Sequence, residues 1–306
     1  VNLSDYCITD DADAPQAYIL PDKTLNPGAS IAIILSGDPE LSTEKYDHAG
    51  FTLSVKKDSL YLFRNDGSLL DYVLLRQIPM GYSYGRSDST GGFFYMEPTP
   101  KKDNKPGYRM ISQMPRSDVE SGVYIQNTSV DVSLSAVGVI YYTTDGSDPS
   151  VNSLRYEGPI HIDETTVLRA MAVEDGKLQS SIYTSTFVFE DRHTLPVVSL
   201  VTDPDNLWGP DGIYKSTWEV KEWKRPAHIS YEGEDGDFSI NCEISLHGMT
   251  SILEQDKKSI TVRFQDNYDG PLTYDIFEDG EVTKFASILL RADQEDVYST
   301  YIRDNL

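Results

Sequence analysis

The chain has 306 residues and a mass of 34.3 kDa, enough for about two or three domains at roughly 100–200 residues each. Lys and Arg number 26 against 49 Asp and Glu, a formal charge of −23, which excludes a nucleic-acid binder that works by neutralising phosphates and disfavours anionic membrane surfaces. No run approaches the ~18 apolar residues of a membrane helix, and two cysteines, Cys7 and Cys242, cannot build a four-Cys zinc site or a dense disulfide framework.

Helix-period patterns are scarce, while Tyr, Val, Ile, Thr and Phe alternate with frequent Gly, Pro, Asn and Asp. This predicts a mainly β chain made of sandwich modules. Two breaks divide it. Residues 98–107 contain Pro98, Pro100, Pro106 and Gly107 and almost no apolar side chain, which reads as a linker. A weaker break falls at Glu190, Asp191, Arg192 and His193. The expected pieces are 1–104, 105–190 and 191–306, the last being the most acidic. The two cysteines are expected as separate, half-buried thiols rather than a bridge. The chain opens at Val1 without an initiator Met, and near its end Tyr298, Ile302 and Leu306 stand at i, i+4, i+8, as on one face of a starting helix. A fragment of a longer protein is expected, with any targeting signal outside it.

In the first piece, Ile31–Leu35 is a short apolar run after the turn Asn26-Pro27-Gly28. The runs 59–63 and 69–74 flank Arg64-Asn65-Asp66-Gly67-Ser68, and Asp-Gly between two such runs predicts a hairpin, because Gly takes positive φ without steric cost. Leu3-Ser4-Asp5, Ile8-Thr9-Asp10-Asp11, Leu20-Pro21, Leu25-Asn26-Pro27-Gly28, Ser83-Tyr84-Gly85-Arg86 and Pro98-Thr99-Pro100 follow in order. On these motifs the piece resembles a lamin-tail domain, a small immunoglobulin-like sandwich, with Tyr6 where such modules usually have Trp. The resemblance implies attachment or interaction without catalysis.

The second piece carries Ile140-Tyr141-Tyr142-Thr143-Thr144-Asp145-Gly146-Ser147-Asp148-Pro149, then Tyr156-Glu157-Gly158-Pro159-Ile160. A run from Thr165 to Ala172 is expected as a long alternating strand. Asp145 and Asp148 have the oxygen donors of a calcium ligand, but Asp-Gly-Ser-Asp-Pro is turn chemistry in which Asp accepts backbone N–H bonds. The motif string is similar to the C-terminal β-sandwich module of chitobiase and β-hexosaminidase enzymes, over roughly 110–189. In those enzymes it is an accessory, so the resemblance implies a spacer or surface module.

The third piece reads Leu195-Pro196-Val197-Val198-Ser199, then Asp203-Pro204-Asp205-Asn206-Leu207, Asp211-Gly212-Ile213-Tyr214, Arg225-Pro226, Lys257-Lys258-Ser259, Ile288-Leu289-Leu290-Arg291 and Arg303-Asp304-Asn305-Leu306. This order resembles the β-rich opening of a spore-coat CotH-type kinase domain, an α+β atypical protein kinase that uses ATP and a divalent metal. ATP and Mg or Mn are therefore implied for a full-length parent, not for this stretch, since no Asp-Arg-Asn motif of the family's catalytic kind occurs here. Lys257 and Lys258 precede an alternating strand, so one points toward a ligand face and the other away. Either a phosphate role or two solvated strand-entrance residues fits that placement. Lys258, beside Ser259 as in the family, is the preferred nucleotide-binding candidate, with Lys257 and the weaker Arg291 beside it. No catalytic residue and no metal ligand is assigned.

Other chemistries find no footing. His48, His161, His193, His228 and His247 show no metal-type spacing, and there is no Gly-x-Ser-x-Gly, Walker loop or Gly-x-Gly-x-x-Gly. Asp203, Asp205 and Asp211 fail the EF-hand pattern at Leu207 and Gly209, and read as turn residues. Trp208, Trp218 and Trp223 have faces that stack on sugar rings, though core packing is expected for at least two of them. Together these features predict a multi-module secreted or surface-displayed bacterial protein, soluble and monomeric at this charge, whose partners are other proteins or cell-surface polysaccharide. The parent is expected to be a CotH-type kinase, and the other reading is an adhesin or polysaccharide-associated scaffold without kinase activity.

Overall fold

The structure is a computed structural model and describes residues 1–53, 59–79, 81–86, 91–125, 128–190, 195–215, 217–233, 236–265, 268–276 and 280–292. The expected helical start at Tyr298, Ile302 and Leu306 lies outside them, as does most of the break expected after Glu190. The chain is mainly β. It divides into two compact units, Val1–Ile111 with Gly176–Leu178, and Ser112–Asp175 with Gln179–Leu306.

In the first unit β1 (Tyr6–Thr9) is flanked by Tyr18–Ile19 and by β2 (Ser59–Arg64), which in turn pairs with β3 (Leu69–Leu74), all antiparallel. The expected hairpin joins β2 to β3. Gly67 turns the chain with φ of 85°, and Asp66 Oδ1 accepts the Ser68 N–H at 2.9 Å and its hydroxyl at 2.6 Å. Alternation buries Cys7 and Thr9 while Tyr6 and Ile8 stay half-buried. A second hairpin pairs β4 (Ser83–Arg86) with β5 (Phe93–Met96). Of the apolar run at 31–35, only Ile33–Leu35 is a strand, parallel to Asp47–Ala49.

The Pro-rich stretch 98–107 does not leave this unit. Tyr95 and Tyr108 exchange both main-chain hydrogen bonds at 2.8 Å, and Asn104 Nδ2 donates to the Arg86 carbonyl at 2.6 Å. Gly107 permits the approach, since a Cβ there would lie 2.2 Å from the Tyr95 carbonyl oxygen. Apolar poverty had suggested a linker, but main-chain pairing ties the stretch down without apolar side chains.

The second unit contains two five-stranded sheets. In the first, β6 (Gly122–Ile125), β7 (Val139–Thr143), β8 (Thr166–Val173) and β9 (Tyr183–Glu190) stand in the order β6-β9-β8-β7, with Leu154–Arg155 outside β7. The β6–β9 pair is parallel and the rest antiparallel. Val132, Leu134, Ile140, Ile162, Leu168, Ala170, Ala172 and Phe187 form one core cluster. The expected long strand forms and sends alternate side chains to two faces, but neither face is open. Leu168, Arg169, Ala170, Met171 and Ala172 are all buried, so β8 is covered on both faces.

The second sheet is antiparallel throughout and runs β10 (Val197–Val201), β11 (Arg225–Gly233), β12 (Gly236–His247), β13 (Ser259–Arg263), β14 (Ser287–Leu290) in chain order. Short helices α1 (Pro204–Trp208) and α2 (Thr250–Glu254) lie between strands. Its core gathers Ile213, Val220, Ile229, Cys242, Ile244, Leu246, Ile252, Val262 and Phe264. The matching side of β12 alternates as its sequence predicts: Cys242, Ile244 and Leu246 point into that core, and His247 ends the strand exposed, 3.2 Å from Thr261 Oγ1. Both cysteines are free and buried.

Candidate functional site

The three phosphate candidates differ in exposure. Lys257 and Arg291 are exposed, at the entrance of β13 and the exit of β14. Lys258 is only 7% exposed. Its Nζ donates to the Ile252 carbonyl at 2.8 Å and the Gln255 carbonyl at 2.7 Å. Its backbone N–H donates to the Tyr214 hydroxyl at 3.1 Å, and its ammonium lies 5.7 Å from the centre of the Tyr214 ring. Of these neighbours Lys257 is exposed and Lys258 buried. The inward lysine, however, meets main-chain carbonyls at the end of α2, which carry the negative pole of that turn. The pattern "two lysines before a strand" carries no sign of which neighbour closes over them, and for that reason sequence reasoning missed the α2 contact.

Asp145 and Asp203 take up the turn duty expected of them. Asp145 Oδ1 accepts the Ser147 N–H at 3.0 Å and its hydroxyl at 2.5 Å, which holds its carboxyl below the usual range. Asp203 Oδ1 caps α1 by accepting the Asp205 N–H at 2.9 Å. Asp148 does more than a turn requires, because its carboxylate pairs with buried Arg169. No three His, Cys, Asp or Glu side chains converge among the described residues. Burial, with Asp269 and Glu243 nearby, pushes the Cys242 thiol up to about 12, so it stays protonated and is a poor nucleophile.

The tryptophans depart from expectation. Trp208 is 66% exposed and Trp218 51% exposed, and only Trp223 packs on the core. The correction has a local cause. Trp208 ends a one-turn helix, where Leu207, and not Trp208, packs on the core. Trp218 opens a 3-10 turn in which Val220 is the buried residue.

The first unit holds a concave surface that the sequence did not single out. A cavity of about 340 Å³ is lined by Ile8, Leu60, Leu62, Val73 and Phe93 and is crossed by Asp71 and Arg86. Arg86 Nη1 and Nη2 donate to Asp71 Oδ2 and Oδ1 at 2.6 and 2.5 Å. That fork holds Asp71 below the usual carboxylate range, and the guanidinium lies 4.8 Å from the Phe93 ring centre. The lining is mostly apolar with one charged pair, and the hollow is broadly open to solvent. Asp71 and Arg86 stand fifteen residues apart on different hairpins, β2–β3 and β4–β5, and the fold sets them side by side.

The second unit's first sheet, with its buried Phe187 and its Asp-Gly-Ser-Asp turn, is now placed among known proteins. Residues 119–186 match the family model of the Chitobiase/beta-hexosaminidase C-terminal domain. The match covers a minority of the chain and lies on this chitobiase-like module alone. No curated protein matches the chain.

Proposed function

We propose that this chain is a non-catalytic, multi-module accessory stretch of a secreted or surface-displayed bacterial protein, which meets other proteins or cell-surface polysaccharide. In this reading the first unit is a lamin-tail-like module, followed by the chitobiase-like module and by the opening of a CotH-type kinase domain. Nucleotide chemistry, with ATP and Mg or Mn, then belongs to later carboxylates of the parent. The observation that carries the reading is the engagement of Lys258. Two carbonyls hold its ammonium in a buried site, where it ties the end of α2 to the entrance of β13 and does not stand open to a phosphate. The name of the matched family, that of sugar-processing enzymes, supports the polysaccharide side of the reading.

Calorimetric titration of the chain with Mg·ATP tests it, beside Lys258→Met. The expected results are no saturable heat and a melting temperature lowered by roughly 3–6 °C in the variant, as two carbonyls lose a charged donor. Saturable ATP binding that vanishes in Lys258→Met, with the melting temperature unchanged, overturns the reading.

A further inference from the structure

The outward face of the chitobiase-like sheet is occupied. Register places Tyr141 and Thr143 of β7 opposite Met171 and Arg169 of β8, and Arg169 and Val167 opposite Thr184 and Thr186 of β9. These side chains share the face turned away from the module's own core. A solvent face of this kind is normally polar and wet, yet Arg169, Met171, Thr184 and Thr186 are buried.

Some of what meets this face comes from the following sheet and from the turn after its first strand. Thr186 Oγ1 and Ser199 Oγ of β10 share a hydrogen bond at 2.8 Å. The Asp148 N–H donates to Asp203 Oδ2 at 2.7 Å, while the other oxygen of Asp203 caps α1. Arg169 donates to the Gly146 carbonyl at 3.0 Å and to the Asp148 carboxylate, so the turn that reaches Asp203 is itself fixed from behind. At the other end, Gly122 lies against Glu232 of β11, where a Cβ would stand 3.4 Å from the carboxylate oxygen. A buried guanidinium and buried hydroxyls are retained only where partners meet them, and here some of those partners, or the groups that fix them, belong to the next module.

We infer that this face is a dedicated interaction surface whose partner is the β10–β14 sheet of the same chain, so that the two modules fold and unfold as one cooperative unit. The chitobiase-like module is then a fixed brace for the sheet that follows and not a spacer. Modules joined through a small polar contact move independently by default. The inference is therefore specific to the interlock formed by Arg169, Asp148 and Asp203.

The test uses the full chain and an accident of composition. All three tryptophans, Trp208, Trp218 and Trp223, lie in the second sheet's part. Leu168→Ala opens a cavity in the chitobiase-like core, remote from every tryptophan. One cooperative unit requires the tryptophan-reported melting temperature to fall by roughly 5–10 °C. If that variant does not fold, Ile162→Val gives the same reading with a shift of about 1–4 °C. Adding Asp203→Ala and Thr186→Val is expected to uncouple the response. A tryptophan transition that stays in place, while amide exchange in β8 speeds up, overturns the inference.

Discussion

The first unit and the chitobiase-like module are both built of β-strands, yet they differ in what happens to their apolar side chains. In the first unit an edge strand, β3, leaves Leu69, Leu70, Tyr72 and Leu74 exposed, and the buried residues Leu3, Cys7, Ala49, Phe63, Tyr95 and Met96 are distributed over several small sheets. In the chitobiase-like module the long strands β8 and β9 are covered on both faces, and eight buried residues form one cluster. The contrast shows that apolar content alone does not make a core. Strand length and a second covering layer decide how much of it leaves water.

That contrast makes unequal demands on single residues. The largest effect is expected at Phe187, fully buried in the module's cluster: Phe187→Ala should cost about 3–5 kcal/mol in denaturant unfolding followed by circular dichroism. A cost near 1 kcal/mol would mean that the module is as loosely packed as the first unit.

A smaller effect concerns pH. Burial holds His228 below its ordinary value, and Arg169 acts in the same direction, while the hydrogen bond that its ring donates to Asn241 Oδ1 and the charge of Asp269 oppose the shift. In the window below the ordinary histidine value of about 6.5, the unfolded chain binds the proton that the folded chain refuses. Stability therefore falls as pH drops through that window and is restored as pH rises. His228→Gln, which keeps hydrogen-bonding capacity toward Ser239 and Asn241, should flatten this part of the pH profile of the melting temperature. An equal slope in both proteins would show that the imidazole is not the source.

The smallest effect belongs to the first unit's edge. Leu74→Ser at an exposed position should change stability by no more than about 0.5 kcal/mol, and a loss of 2 kcal/mol would mean that β3 is covered in solution.

Much of the fold was legible because turns write themselves locally. Asp66-Gly67, Asp145-Gly146-Ser147 and Asp203-Pro204 each announce a turn or cap within a few residues, and the structure places a turn or cap at each. The chitobiase-like motif string was legible for the same reason. What sequence could not show depends on distant neighbours. Arg169 stands in a strand expected to alternate, and nothing local shows that it is buried and paired with Asp148 of the preceding turn. Lys258 reads as a candidate for phosphate until α2 closes over it. The Asp71–Arg86 pair at the cavity has no sequence signal, because its two members sit on separate hairpins.

The order of strands in the chitobiase-like module has a mechanical side. The first strand of its five-stranded sheet, β6, and the last, β9, lie side by side in the same direction, with Gly122, Val123, Tyr124 and Ile125 opposite Phe187, Val188, Phe189 and Glu190. A pull applied through the chain at the module's two ends draws these strands past one another along their length. All the hydrogen bonds of the pair then bear the tension together, whereas a hairpin pulled at its open end releases them one at a time. A chain anchored at one end and holding a partner at the other would find in this module a link that resists stretching.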